Sequence, residues 1–265
     1  MNKKCAVIGN PIEHSLSPYI HSKFAQQFEM DLVYEKILAT SDTFSTEVDF
    51  FFSDGGTGLN VTLPFKLQAY EICDSLTPVA SRAKSVNTLL KDKKGRLIGD
   101  TTDGQGLLKD LLRLGLSPEK NSILILGAGG AARAILAMLL DHPCQLKLLN
   151  RTYENASRLV NELNAQDKVL LNQDSFQPDL IINTLSNNGA DFLGSANIDL
   201  KPNCFLYDIS YGERASNTLT AAKKLGIKHF ADGWGMLVEQ AALSFEAWHG
   251  HKPDTDWLIT RGVPT

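Results

Sequence analysis

The sequence predicts an α/β protein with two domains, each built from a sheet covered by helices. Short apolar runs of strand length alternate with segments of helical periodicity along nearly the whole chain, which indicates βαβ units. One pair of strand-like runs flanks "DKKG" (92–95), which predicts a hairpin. A chain of 265 residues is long enough for two modest domains. The predicted strands are "CAVIG" (5–9), "LVYEKIL" (32–38), "LNVT" (59–62), "SVNTLLK" (85–91), "RLIGD" (96–100), "ILIL" (123–126), "QLKLLNRT" (145–152), "DLIINT" (179–184) and "CFLYDIS" (204–210).

Four segments have the apolar spacing of helices. The first begins with a Ser–Pro pair, which predicts Ser17 as the N-cap and Pro18 as the first helical residue. The helical segments are 17–28 with Ile20, Phe24 and Phe28 on one face, 106–115, a helix from about Gly130, and 233–250 with the stripe Leu237, Ala241, Phe245 and Trp248.

The two domains have no low-complexity linker between them, so we expect ordered helices near 104–115 and 234–249 to join them. The first domain is predicted to span 1–102 and to be completed by the C-terminal helices at 236–265. The second is predicted to span 103–235.

Composition excludes several classes of protein. The formal net charge of −4 and the lack of a long basic run argue against nucleic-acid binding. No window approaches 18 uninterrupted apolar residues, and the N-terminal apolar run is too short for a signal peptide, so neither a membrane helix nor secretion is expected. The scattered cysteines form no C-x-x-C pair and are predicted to be reduced, mostly core residues of a cytoplasmic protein.

A glycine-rich turn follows the predicted strand at 123–126. Gly127, Gly129 and Ala132 give the pattern G-x-G-x-x-A between a strand and a helix, which predicts a Rossmann-type dinucleotide site. The glycines permit close backbone approach, and the helix N-terminus offers N–H groups to a pyrophosphate. The alternative is a glycine turn that packs the helix on the strand without a ligand.

The end of the next strand indicates which dinucleotide binds. An NAD site would place a carboxylate there, but the residues are Asn150, Arg151 and Thr152. A guanidinium and a hydroxyl suit the 2′-phosphate of NADP. The alternative is an exposed Arg151 with Thr152 capping the following helix.

Polar residues of the first domain form a second candidate site. Ser15 and Ser17 at a helix start could bind a small carboxylate. His14 and His21 are expected at the surface or orienting neighbours, not in catalysis. The corner "GLNVTLPFKLQAY" (58–70) is either a turn before a solvated helix or part of an active site.

The sequence resembles the shikimate dehydrogenase family over nearly its whole length. The matching segments, in family order, are "GNPIEHSLSP" (9–18), "NVTLPFK" (60–66), "VNTL" (86–89), "TDG" (102–104), "GAGGAAR" (127–133), "NRT" (150–152), "YDISY" (207–211) and "DGWGMLVEQAA" (232–242). The resemblance implies a substrate-binding α/β domain, a Rossmann NADP domain and the reversible NADPH-dependent reduction of 3-dehydroshikimate to shikimate, in aromatic amino acid biosynthesis.

The resemblance also implies a role for each matching residue. Lys66 and Asp103 are expected to be catalytic. The substrate is expected to be bound by Ser15, Ser17, Thr62, Asn87, Tyr211 and Gln240. NADP is expected to contact Gly127, Ala128, Gly129, Gly130, Ala131, Asn150, Arg151, Thr152, Ile209 and Gly233. The stretch "TLSNNG" (184–189) is expected to border the ribose or nicotinamide.

The sequence departs from the family pattern at a few positions. Lys84 and Ser85 stand where the family usually has Gly-Ala, Thr101 replaces an asparagine, and Asn155 replaces a frequent arginine. Two alternatives stay open: a quinate/shikimate dehydrogenase with relaxed substrate or NAD use, and a non-catalytic sensor of shikimate-like acids and nucleotide. The sequence leaves both a monomer and a homodimer open.

Overall fold

The protein folds around two six-stranded sheets. The structure is a computed structural model that describes residues 3–171, 175–185, 189–196 and 198–264. The predicted α/β class with a Rossmann-type second sheet is confirmed.

The first sheet is mixed and has the order β2-β1-β3-β5-β6-β4. Its strands are β1 (Lys3–Gly9), β2 (Leu32–Leu38), β3 (Gly58–Val61), β4 (Ser75–Leu76), β5 (Thr88–Lys91) and β6 (Leu97–Asp100). The intervening helices are α1 (Ser17–Gln27), α2 (Phe44–Ser53), α3 (Lys66–Ile72) and α4 (Pro78–Ala83). β1 runs parallel to β2 and β3, while β5 runs antiparallel to β3 and to β6, so the predicted hairpin at 92–95 is present.

The second sheet is parallel throughout its described pairings and has the order β12-β11-β10-β7-β8-β9. Its strands are β7 (Ser122–Leu126), β8 (Gln145–Leu149), β9 (Val169–Leu170), β10 (Leu180–Asn183), β11 (Phe205–Asp208) and β12 (His229–Ala231). The order reverses between β7 and β10, which is the doubly wound arrangement with its switch point at the end of β7. The remaining helices are α5 (Asp103–Arg113), α6 (Gly130–Leu139), α7 (Tyr153–Glu162), α8 (Gly189–Ser195), α9 (Glu213–Lys224), α10 (Trp234–His249) and α11 (Asp256–Arg261).

Helices α5 and α10 pack closely against each other between the two sheets. A Cβ built on Gly106 of α5 would lie 2.7 Å from the Cβ of Gln240 on α10, so only glycine permits this approach. Helix α10 also covers α1: Ile20 and Phe24 form an apolar cluster with Phe245, and Leu258 of α11 completes it. The C-terminal helices thus pack on the first part of the chain, although the domain boundaries at 102/103 and 235/236 stay a prediction.

Most predicted elements are confirmed, with shifts at their ends. The prediction of Ser17 as an N-cap is wrong, because helix α1 begins at Ser17 and the N-cap is Leu16. The Ser15 hydroxyl instead accepts the Ser17 N–H, at 3.3 Å. Helix α5 begins at Asp103 rather than 106, since the polar "TDGQ" start carries no apolar periodicity.

Within the described ranges, no helix is long and apolar enough to cross a membrane. All four cysteines are free thiols; Cys5 and Cys204 are buried, whereas Cys73 and Cys144 are partly exposed.

His21 lies in the core rather than at the surface. It is fully buried on α1, stacked on Tyr34 with ring centroids 4.4 Å apart and on Trp248 with centroids 5.3 Å apart. Among the described residues, neither of its ring nitrogens has a hydrogen-bond partner. Burial lowers the pKa of His21 to about 3, because a charged imidazole would lose its hydration, and the nearby His249 disfavours the charge further.

We predict that His21 makes the fold acid-sensitive. In the unfolded state the His21 imidazole binds a proton near pH 6.5, whereas in the folded state it does so only near pH 3. The free energy of unfolding therefore decreases as the pH falls through this window. The slope approaches about 1.4 kcal/mol per pH unit. His21→Phe should therefore lose less free energy of unfolding between pH 7 and pH 5 than the wild type, measured by urea denaturation. The exposed His229→Asn serves as control; equal losses in wild type and His21→Phe would contradict the prediction.

Candidate active site

A cleft of about 470 Å³ opens between the two sheets. The ends of β1 and β3 border it on one side, and the ends of β7, β10 and β11 border it on the other. Most of the residues expected at the site line it: Ser15, Ser17, Thr62, Lys66, Asn87, Asp103, Gly127, Ala128, Gly129, Gly130, Ala131, Asn150, Ile209, Tyr211 and Gln240. Arg151, Thr152 and Gly233 are not among its lining residues.

Lys66 and Asp103 form an ion pair inside the cleft. The Lys66 Nζ lies 2.6 Å from the Asp103 Oδ2, and the two side chains are only 12% and 6% exposed. Each is the first residue of its helix, Lys66 of α3 and Asp103 of α5. The positive end of the α5 dipole favours the carboxylate there. A short, largely desolvated pair of this kind can share or pass a proton to a bound group.

The Asn87 side chain sets the direction in which Asp103 is held. Its Oδ1 accepts hydrogen bonds from the Thr102 N–H at 2.9 Å and from the Thr88 hydroxyl at 2.8 Å. Its Nδ2 therefore faces the other way and donates to the Asp103 Oδ1 at 2.8 Å. One carboxylate oxygen is thus occupied by Asn87, and the other remains for Lys66.

Helix α10 joins the same network. The Asn87 Nδ2 also lies 3.3 Å from the Gln240 Oε1, and the Gln240 Nε2 donates to the Leu237 carbonyl at 2.8 Å. One turn further on, the Ser244 hydroxyl lies 2.8 Å from the Thr88 hydroxyl. The polar floor of the cleft is therefore shared by β5, α5 and α10.

Asn60 extends this floor toward the edge of the first sheet. Its Nδ2 donates to the Ser244 hydroxyl at 3.0 Å, and its Oδ1 accepts from the Tyr34 hydroxyl at 2.7 Å. Burial raises the pKa of Tyr34 well above its ordinary value, so this phenol stays a hydrogen-bond donor. Asn60 and Lys66 of the corner at 58–70 thus bond to buried partners rather than forming a solvated turn.

Two serine hydroxyls lie at the start of α1 in the cleft wall. The Ser15 hydroxyl donates to the Ser17 Oγ at 3.2 Å. Burial raises the pKa of Tyr211, while the Leu16 backbone amide and the Arg214 charge oppose that rise. Tyr211 follows β11 of the second sheet and packs against the same apolar cluster as Leu16, which stands between the two serines. This wall can donate several hydrogen bonds to an anion.

The glycine-rich turn lies at the switch point of the second sheet. Gly127 has φ +107°, and a Cβ built on it would lie 2.5 Å from the Thr184 hydroxyl. A Cβ on Gly129 would meet nothing within 4 Å, so open space faces this residue. Helix α6 begins at Gly130 without a side-chain cap among the described residues. Free N–H groups, open space and a helix dipole together fit a pyrophosphate.

The predicted 2′-phosphate site is partly open to solvent. Arg151 and Thr152 are exposed, and Thr152 occupies the N-cap position of α7 without a side-chain capping bond. The Asn150 side chain donates to the Thr152 carbonyl at 2.8 Å. Asn155, which stands where the family often has arginine, does line the cleft.

Gly233 lies immediately behind the cleft wall formed by Ile209. A Cβ on Gly233 would lie 2.2 Å from the Ile209 carbonyl oxygen, and the Gly233 N–H donates to the Ser210 carbonyl at 2.8 Å. Gly233 therefore permits the close approach that holds Ile209 in place. Whether either residue borders a nicotinamide stays a prediction.

Some cleft residues were not assigned to the site from the sequence. Met236 and Leu237 belong to the "GMLVEQ" motif and could have been found from it, whereas Arg214 lies outside every motif. Thr184 and Leu185, the first residues of the stretch expected to border the cofactor, do line the cleft. The further lining residues are Val7, Pro11, Ile12, His14, Asn60, Val61, Leu63, Asn155 and Ser210. Of the stretch 184–189, residues 186–188 lie outside the described residues.

The two sides of the cleft touch next to Lys66. A Cβ on Gly130 would lie 3.1 Å from the Lys66 Cβ. The Ser85 hydroxyl donates to the Gly130 carbonyl at 3.2 Å, so the serine that departs from the family pattern links the first sheet to α6. The glycine turn is therefore held directly against the Lys66–Asp103 pair.

Family models match most of the chain. The shikimate dehydrogenase substrate binding domain matches residues 7–89, shikimate / quinate 5-dehydrogenase matches 83–184, and the shikimate 5′-dehydrogenase C-terminal domain matches 233–256.

Solved structures match the whole fold. The Ael1 enzyme from Pseudomonas putida is 36% identical, with 99% of each chain covered and a TM-score of 0.83. Shikimate 5-dehydrogenase from Thermus thermophilus, in complex with NADP(H) and shikimate, is 28% identical over 96% of each chain, with a TM-score of 0.82. The Listeria monocytogenes enzyme, in complex with shikimate and NAD, is 27% identical over 98% of this chain and 96% of its own, with a TM-score of 0.82.

We predict that alanine changes a different property at each of the two glycines of the turn: stability at Gly127 and NADP affinity at Gly129. Gly127→Ala should lower the melting temperature, because it forces a side chain into a positive φ and against Thr184. Gly129→Ala should leave the melting temperature nearly unchanged, since nothing lies near its Cβ, and should weaken NADP binding by filling the open space. Thermal unfolding and a nucleotide titration of both variants check this; the reverse pattern would contradict it.

Proposed function

The chain belongs to the shikimate dehydrogenase family, and from this premise we propose that it catalyses the reversible NADPH-dependent reduction of 3-dehydroshikimate to shikimate in aromatic amino acid biosynthesis. The observation that carries the proposal is the Lys66–Asp103 ion pair, 2.6 Å long, in the cleft beside the glycine turn. The pair supplies a charge and a proton path at the point where substrate and nucleotide would meet.

Lys66 and Asp103 are the residues that we assign to the chemistry. The nicotinamide cofactor supplies hydride transfer when bound. The Lys66 ammonium stabilises the negative charge that develops on the ketone oxygen and lies on the path of the proton to that oxygen. Asp103 orients the ammonium and shares that path. Asn87 keeps the Asp103 carboxylate in position through its 2.8 Å bond.

The substrate would be held across the cleft. Ser15 and Ser17 bind its carboxylate with their hydroxyls, beside the N-terminus of α1. The ring hydroxyls face the polar floor, where they are bound by Thr62, Asn87 and Gln240. Tyr211 completes the site from the side of the second sheet.

NADP would occupy the cleft at the switch point. The turn from Gly127 to Ala131 fits the pyrophosphate, because Gly129 faces open space and α6 begins without a side-chain cap in the described chain. We assign the 2′-phosphate to the segment 150–152 and the border of the nicotinamide to Ile209 and Gly233.

One observation favours relaxed cofactor use as a second candidate. Arg151 is exposed and does not line the described cleft, and Asn155 offers an amide where the family often has a cation. A weaker hold on the 2′-phosphate would let NAD compete. A non-catalytic sensor would have no need of the paired Lys66 and Asp103, so their short contact argues against that role.

The predicted organisation is part of the same proposal. The first domain, 1–102 with 236–265, would bind the substrate, and the second, 103–235, would bind the nucleotide. All four cysteines are free thiols, which is consistent with a cytoplasmic protein.

The proposed activity is tested by following the absorbance of reduced nicotinamide when the protein is mixed with shikimate and NADP, and then with NAD. We predict that Lys66→Ala lowers the turnover number by about 100- to 10,000-fold, because its acid–base and electrostatic contributions are lost. Its affinity for NADP should change far less, since Lys66 contacts Asp103 rather than the glycine turn's N–H groups.

Lys94→Ala is the matched control, because it removes the same charge from an exposed hairpin turn. A folded Lys66→Ala protein with near-full turnover would refute the catalytic assignment. No oxidation of shikimate by the wild type with either nucleotide would refute the proposed reaction.

We predict that Arg151→Ala reduces the preference for NADP over NAD. A charged hydrogen bond to the 2′-phosphate contributes about 1.5–3 kcal/mol, so NADP should bind roughly 10- to 150-fold more weakly. NAD lacks this phosphate and should be almost unaffected. The measurement is the ratio of kcat/KM values for the two nucleotides. Arg158→Ala, an exposed arginine of α7 outside the described cleft lining, is the control; an unchanged ratio in Arg151→Ala would make Arg151 an ordinary surface residue.

A further inference from the structure

The cleft has one formal charge to which the proposed reaction assigns no role. Among the described lining residues, the side chains with a formal charge at neutral pH are Lys66, Asp103 and Arg214. Lys66 and Asp103 pair at 2.6 Å and offset each other. Arg214 therefore gives the cleft its net positive charge. Within the ranges that the structure describes, no carboxylate lies at ion-pair distance from Arg214, whereas other arginines such as Arg82 and Arg133 are paired.

Arg214 lies on the side of the cleft where the two serines are found. It is the second residue of α9 and follows Tyr211 by three positions. Leu16 and Tyr211 pack against the same apolar cluster. Burial raises the pKa of Tyr211, and the Leu16 backbone and the Arg214 charge both oppose that rise. Leu16 stands between Ser15 and Ser17, so these groups belong to one wall.

That wall needs a positive charge if it is to bind a carboxylate tightly. The Ser15 and Ser17 hydroxyls donate hydrogen bonds but carry no formal charge, and they already bond to each other. A carboxylate that leaves water for this cleft loses hydration, which a nearby guanidinium offsets. Lys66 is not free to do so, because Asp103 holds its ammonium group.

We propose that Arg214 is a specificity-determining residue of the cleft, which attracts the substrate's carboxylate to the Ser15–Ser17 wall and so selects an anionic cyclic hydroxy acid over a neutral ring of the same shape. The inference rests on the proposed function for the identity of the acid. It adds a residue that lies outside every segment of family resemblance. Because Arg214 is exposed, its effect depends on ionic strength.

The test compares Arg214→Gln with Lys224→Gln. Lys224 lies at the other end of α9, is exposed and is not a lining residue of the described cleft, so its variant removes one charge from the same helix away from the site. Arg214→Gln should raise the KM for shikimate roughly tenfold, the loss expected for one charged contact. Its kcat and its KM for NADP should stay near the wild-type values, and Lys224→Gln should resemble the wild type throughout.

Two further readouts separate a charge effect from a structural one. Added salt should lower kcat/KM for shikimate in the wild type and much less in Arg214→Gln, because the screened contact is already gone. The neutral methyl ester of shikimate should bind wild type and Arg214→Gln equally in a titration of protein fluorescence. The inference is overturned if Arg214→Gln leaves the KM for shikimate unchanged. It is also overturned if Arg214→Gln weakens binding of the ester as much as it weakens binding of shikimate. A rise confined to the KM for NADP would assign Arg214 to the nucleotide and also overturns it.

The same titration distinguishes failure of the inference from failure of the proposed function. If the wild type binds shikimate but does not oxidise it, the reaction is wrong, and the comparison of shikimate with its ester still decides the role of Arg214. If the wild type neither binds nor oxidises shikimate, both proposals are overturned.

Discussion

The orientation of the Asn87 amide is the constraint on which the cleft depends. A backbone N–H, that of Thr102, fixes its Oδ1, and a backbone donor cannot rotate away as a hydroxyl can. The amide N–H groups must then face Asp103 and Gln240. Reversing the amide would set donor against donor in a buried place and leave an Asp103 oxygen without its partner. The Lys66–Asp103 pair is therefore aligned by backbone geometry.

Sheet topology explains why the two halves of the site meet. Parallel strands of the second sheet deliver the Gly127 turn and Thr184 to the same edge, one from each side of the point where strand order reverses. The antiparallel hairpin of the first sheet turns the chain back so that Asn87 and Asp103 are adjacent. The hydrogen bond from Ser85 to Gly130 then joins these two arrangements beside Lys66.

The sequence alone predicts those parts of the fold that depend on local pattern. Apolar runs identified the long strands, the glycine pattern located the start of α6, and the i, i+4 stripe identified α10. Two-residue strands such as Ser75–Leu76 carry no period to detect, and their pairing depends on distant partners. At the site, no local signal pairs Lys66 with Asp103, so this expectation came from family resemblance. Arg214 was missed because a charge on a helix start resembles any solvated residue.

The packing of α1 against α10 and α11 has a consequence for the order of folding during synthesis. Phe24 leaves the ribosome long before Phe245 and Leu258, which cover it. The strands of the second sheet, β7 to β12, are consecutive in the sequence, so all of them have been synthesised before α10 and α11. A nascent chain must therefore keep the apolar face of α1 from aggregating until the C-terminal helices arrive. Proteolysis just before Trp234 would return the protein to that exposed state.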